Sequence, residues 1–273
     1  MTLNNLSGAI KAGMEIASGT DFSGKLQRGS GFGDLQLLCN ETNVTTTLGS
    51  ADVMLLVKGK LRGVYSLTDA INIINNDPKI TAKTKASDVI IRLNQDVTLS
   101  SGITLTKPCT IDGRGTLGVS GLFSLNVTSP ALSLVNLNTD IIMIANPGTT
   151  LSLKNVSTLN GILNRDGTIN VSGRLDAEGI NAAKLKLTKA KLSVNSGMML
   201  GSSIRLSGAS TWTYTISSPP IIHVANSKSL TSGSGTLTLK TSTSGYVPNV
   251  GHALVADDTN TLTSYGRLKL GTG

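Results

Sequence analysis

Charged and aromatic residues are both scarce in this chain. Only 15% of its 273 residues are charged and 3% are aromatic, with Trp212 the single tryptophan. Sugar-cleaving grooves are commonly walled by exposed aromatic platforms, so the shortage counts against a carbohydrate-cleaving cleft. Two histidines, His223 and His252, give little material for a histidine triad or a zinc site, and neither has a Cys, His or serine elbow at useful spacing. The two cysteines, Cys39 and Cys109, lie too far apart for metal-ligand spacing, and buried thiols are expected rather than a disulfide framework. No run of about 20 apolar residues is present to span a bilayer, so no membrane insertion is expected. No basic-then-apolar leader opens the chain, which predicts synthesis in a cytoplasm without export.

What remains is a β-forming composition. Ser, Thr, Asn and Gly dominate the polar residues, and 39% of the chain is apolar, enough for a large core. A short apolar-polar-apolar triplet recurs: Ile103-Thr-Leu105, Leu117-Gly-Val119, Leu132-Ser-Leu134, Leu151-Ser-Leu153, Ile169-Asn-Val171, Leu185-Lys-Leu187 and Ile204-Arg-Leu206. Successive starts lie 14, 15, 19, 18, 16 and 19 residues apart. On a strand each triplet sends two apolar groups inward and one polar group outward. One such strand makes no core, but stacked copies cover one another and pair their backbones. The spacing suits one turn of a parallel β-helix.

The flanks differ. Residues 1–62 lack the triplet and read as a separate N-terminal attachment module. Their GSGFG segment, residues 29–33, lacks the Gly-Lys-Ser/Thr of a phosphate loop and reads as a flexible turn; no cofactor or metal is expected. Ser66 is placed to N-cap a helix near residues 66–75, with Leu67, Ala70, Ile71 and Ile74 on one face and Pro78 beyond its end. Such a helix, set before the first coil, would cover the open end of the core. The solenoid is expected over 63–215. Pro219-Pro220 then breaks the pattern, because proline cannot donate to a ladder, and 216–273 reads as a C-terminal β-rich cap or trimer contact.

Within residues 63–120 the order S-L-T-D-A-I-N, D-V-I-I-R-L, V-T-L and I-T-L-T-K-P-C-T-I-D-G-R-G resembles the opening of the pectate-lyase-like right-handed β-helix superfamily, which includes bacteriophage tailspikes. The resemblance implies an all-β, right-handed parallel β-helix and a homotrimer. It does not separate lyases, hydrolases and noncatalytic spikes, since one fold hosts many functions.

Few residues are candidates for chemistry. Asp176 and Glu178, at i and i+2 on one strand, would share a face at about 7 Å, inside the carboxylate separations that glycosidases use. A solvated surface pair explains them as well, and is favoured because Gly179 follows and any exposed acid pair would pass the same test. Asp112-Gly113 and Asp166-Gly167 read as turn pairs. Asp257-Asp258 lacks the spaced ligands of a calcium loop. Asn126, Asn155 and Asn170 match a glycosylation pattern but are better read as turn and stacking residues.

The net charge is +8 with pI ≈ 9.6. Lys184, Lys186, Lys189 and Lys191 form the one notable cluster, alternating with leucines. They read either as a solubilising face that blocks edge association, which is favoured, or as a contact for a phosphate-bearing glycan or acidic partner. No nucleic-acid signature accompanies them.

These features lead to one expectation: a noncatalytic virion appendage, such as a phage spike, head fibre or decoration protein. It would attach to other virion proteins through residues 1–62 and project a β-helix toward a host surface glycan. A phage polysaccharide depolymerase using Asp176 and Glu178, or a bacterial β-helix adhesin, is the alternative.

Overall fold

The protein is described here by a computed structural model covering residues 52–100, 102–115, 117–120, 125–140, 142–144, 148–214, 222–224, 231–241, 254–256 and 267–270. It is mostly β, with a β-solenoid of about six turns and one α-helix. The solenoid is compatible with a parallel β-helix.

Its strands lie along three faces. On the first, Ile91 pairs with Ile111, Ile111 with Leu134, Leu134 with Leu153 and Leu153 with Val171, all in parallel register. Every member of that column is buried. On the second face Leu137, Val156 and Leu175 pair in turn, and farther along Leu192, Trp212, Leu239 and Leu270 follow one another in parallel register. The third face carries Ile103 beside Leu125, Ile142 beside Ile162, and Met198, Ile222 and Leu254 in sequence. Strands such as Val89–Leu93, Ile103–Leu105 and Leu151–Leu153 alternate buried and outward residues, as the two-residue period requires.

One corner explains how so long an extended run stays coiled. The chain is continuously extended from Ile162 to Ser207, yet it turns wherever a residue enters the left-handed region. Asn136 (φ 50°), Asn155 (φ 54°), Gly173 (φ 69°), Lys189 (φ 48°) and Gly208 (φ 73°) each follow the start of a triplet by four residues. At Gly173 an added Cβ would meet the Asn155 side chain, so the absence of a side chain there is required twice over.

The triplets do mark strands, but they do not all mark the same one. Ile103–Leu105 pairs with Leu125–Val127 on the third face. Gly118 and Val119 pair with Asn138 and Thr139, which puts the second triplet on the second face. The first-face column begins instead at Val89–Leu93 and Cys109–Asp112. Every face obeys the same alternation, so the pattern alone does not say which face a triplet occupies.

The helix spans Leu67–Asn76, and the Ser66 hydroxyl accepts from the Asp69 N–H at 3.1 Å. Leu67, Ala70, Ile71 and Ile74 enter the same apolar cluster as Ile91 and Leu105. Asn75 ties the last turn to the third face, donating to the Thr104 carbonyl at 2.7 Å and accepting from the Thr106 N–H at 2.9 Å. Before the helix, Val53–Val57 and Lys60–Tyr65 form an antiparallel hairpin, and Val53–Val57 also pairs antiparallel with Val89–Leu93. The boundary expected after residue 62 therefore falls inside a strand that belongs to this sheet. The boundary expected at 215 does not interrupt the ladder either: Thr236–Thr241 and Arg267–Leu270 extend the second face in parallel register. Residues 1–51, which hold the glycine-rich segment and Cys39, lie outside the described residues.

Candidate functional site

The outward positions of the strands are the available chemistry, because the inward ones are filled mainly with apolar side chains. Asp176 and Glu178 lie on the second face, where Leu175 and Ala177 point inward and the two acids point outward. Asp176 aligns with Ser157 of the adjacent coil. Its carboxylate forms an ion pair with Arg174 Nε at 2.7 Å. Glu178 accepts from Asn195 Nδ2 of the next coil at 3.3 Å. The two acids thus share a face, as their spacing predicts, and each already has a partner there.

Asp112 behaves as a turn residue: its Oδ1 accepts from the Arg114 N–H at 2.9 Å, and its Oδ2 faces Arg92 Nε at 3.4 Å. At Asp166-Gly167 the chain passes from the third face to the first, and Gly167 lies against the buried Asn164, which donates to the Thr149 carbonyl at 3.2 Å. Asn155 bridges coils: its Nδ2 donates to Asn136 Oδ1 at 3.0 Å, while its Oδ1 accepts from the Arg174 N–H at 3.1 Å. Asn170 is a strand residue whose amide reaches Ser152 Oγ at 3.5 Å. The His223 backbone pairs with Met199 and Val255; His252 and Asp257-Asp258 lie outside the described residues.

Cys109 is a free, fully buried thiol on the first face, and burial pushes its pKa up to about 12. A thiol held neutral in an apolar column is unreactive toward electrophiles. Among the described residues no cluster of three or more His, Cys, Asp or Glu side chains is arranged to hold a metal ion. Among them, too, no helix is long and apolar enough to cross a membrane.

The lysine cluster is the largest concentration of one charge sign. Lys184, Lys186, Lys189 and Lys191 are all exposed, while Leu185, Leu187, Ala190 and Leu192 between them are buried. Lys184 and Lys186 lie on the first face, Lys189 on the corner and Lys191 on the second face, beside Thr211. Arg205 and Lys240, which sequence spacing did not connect to the cluster, are also exposed on the following coils. Arg205 stands between the buried Ile204 and Leu206, so its signal was a base in the outward slot of a triplet.

No protein family, curated protein or solved structure matches this chain.

Proposed function

We propose that this protein is a noncatalytic structural appendage of a virion: a spike, head fibre or decoration protein built on a right-handed parallel β-helix. The N-terminal region attaches it to other particle proteins, three copies associate, and the solenoid projects outward to adsorb to a host-surface glycan. The right hand follows from the general preference of parallel crossover connections. The helix Leu67–Asn76 acts as an end cap that covers the apolar end of the stacked core.

The observation that carries this reading is the parallel ladder of stacked coils, whose outward positions hold polar side chains. Such outward positions suit the presentation of a contact surface, and the scarcity of aromatic and histidine side chains favours presentation over cleavage. Imaging purified particles beside the solution mass of the isolated chain tests it. Trimeric projections on the particle are the expected result; a monomer absent from particles overturns the reading.

One observation keeps a second reading in play, a polysaccharide depolymerase. Asp176 and Glu178 stand outward on one strand, as an acid pair would. Release of reducing ends from host capsule or lipopolysaccharide, lost in Glu178→Gln, would favour it over the appendage.

A further inference from the structure

Charge is unevenly distributed along the solenoid. From Gly179 to Ala256 the sequence contains Lys184, Lys186, Lys189, Lys191, Arg205, Lys228 and Lys240, and no Asp or Glu at all. The preceding coils mix both signs and tie bases to acids, as in Arg92–Asp112 and Arg174–Asp176. Above Glu178 there is nothing acidic on the coil to tie to.

Stacking turns this bias into a surface. Gly208 lies against the Lys189 side chain. Leu185 and Ile204 each stand four residues before that contact, so Lys186 and Arg205 occupy equivalent outward slots of successive coils. Adjacent strands lie about 4.8 Å apart, and outward residues of one strand about 7 Å apart. On the second face Ser193 aligns with Thr213 and Thr213 with Lys240, while Lys191 aligns with Thr211 and Thr211 with Thr238. The bases therefore form a two-dimensional grid that crosses the Lys189 corner, with hydroxyl side chains in the positions between them. Lys184, Lys186, Lys189, Lys191, Arg205 and Lys240 have no ion-pair partner among the described residues. Holding so many like charges at strand spacing is unfavourable for the isolated fold, and a bound polyanion relieves it.

We infer that this grid binds an anionic polysaccharide. Lysine ammoniums act as point charges for phosphate, sulfate or carboxylate groups, and the interspersed Thr and Ser hydroxyls suit the hydroxyls of the intervening sugars. A single-stranded nucleic acid would need aromatic platforms, and the coil's one tryptophan, Trp212, is turned fully inward. Duplex DNA is read by an element that enters a groove, which a flat sheet face does not do. The inference deepens the adsorption reading above and rests on it for its biological setting.

Binding of the full chain to fluorescent dextran sulfate and to polygalacturonate, with neutral dextran and duplex DNA as comparisons, tests it. Salt-sensitive binding to both anionic glycans, absent for neutral dextran and weaker for DNA, is expected. The quadruple variant K184Q/K186Q/K191Q/R205Q should bind at least about ten-fold more weakly and show a shallower salt dependence. The variant K79Q/K83Q/K85Q, altered at three exposed lysines near the helix, should bind within about two-fold of the parent. Equal losses in both variants would mean that net charge alone drives binding and would overturn the grid. DNA binding as tight as glycan binding, or no binding to either glycan, would overturn the ligand class. Should the quadruple variant not fold, Lys186→Glu is read in its place. Particle imaging fails or succeeds separately, so a protein absent from particles that still binds through the grid would sink only the appendage.

Discussion

The indole Nε1 of Trp212 donates to the backbone carbonyl of Val194 at 3.0 Å, one coil away. The residue pairs in register with Leu192 and Leu239 on the second face, and its ring is fully buried. The side chain thus joins two coils through both apolar contact and a directed hydrogen bond. Trp212→Ala should cost about 3–5 kcal/mol. Trp212→Phe retains much of the ring but leaves the carbonyl unpaired, and should cost about 1–3 kcal/mol from that bond. Chemical denaturation followed by far-ultraviolet circular dichroism measures both; equal losses would show that ring volume does not matter at this site.

At the left-handed corner, Asn155 combines a positive φ of 54° with two bridging hydrogen bonds. The two contributions can be separated. Asn155→Gly keeps the backbone geometry and loses the bonds, whereas Asn155→Ala loses the bonds and strains the backbone. The alanine variant should be the less stable by about 1 kcal/mol. A glycine variant as unstable as the alanine one would mean that the bridge to Asn136 and Arg174 carries the whole effect.

Much of this architecture is legible in the sequence because a solenoid writes its core locally. The alternation in Leu151-Ser-Leu153 or Ile169-Asn-Val171 identifies an inward-facing pair without knowledge of its neighbours, and both pairs are buried. The helix is legible for the same reason, its cap and its four apolar positions all lying within Ser66–Ile74. What escaped was relational. Ile103–Leu105 and Leu117–Val119 carry the same local code as the first-face strands, and only pairing reveals that they belong to the other two faces. The boundaries at 62 and 215 were drawn where local texture changes, but a loop can leave a coil and return without disturbing the ladder. Arg205 and Lys240 join the lysine cluster only through inter-coil register, which no single stretch of sequence contains.

The helix start offers a local test of that legibility. The Ser66 hydroxyl accepts from the Asp69 N–H at 3.1 Å and also donates to the Asp69 carboxylate at 2.7 Å. Ser66→Ala should lower stability by about 1 kcal/mol, and Ser66→Asp should restore most of it. Ile71→Ala, which removes a fully buried side chain where the helix meets the coil, should cost about 2–5 kcal/mol. If Ile71→Ala proved no worse than Ser66→Ala, the helix would contribute little to the solenoid core.

Cys109 makes stability depend on pH in a direction that its burial fixes. The thiol's ordinary value is 9.0, and desolvation raises it to about 12 in the folded chain. Above pH 9 the unfolded chain loses this proton while the folded chain keeps it, so unfolding is favoured as pH rises. The neutral thiol's contribution is fully present below about pH 9 and is lost progressively as pH climbs toward 12, at up to about 1.4 kcal/mol per pH unit. The useful quantity is the difference between the parent chain and Cys109→Ala, which isolates the thiol's share. At neutral pH the variant should be less stable because a buried sulfur is missing from the first-face column. Between pH 8 and 10.5 the gap should narrow, since only the parent carries the penalty. Denaturation midpoints of both chains across that range decide the matter, and a gap independent of pH would show that the Cys109 thiol ionises as readily in the folded chain as in the unfolded one.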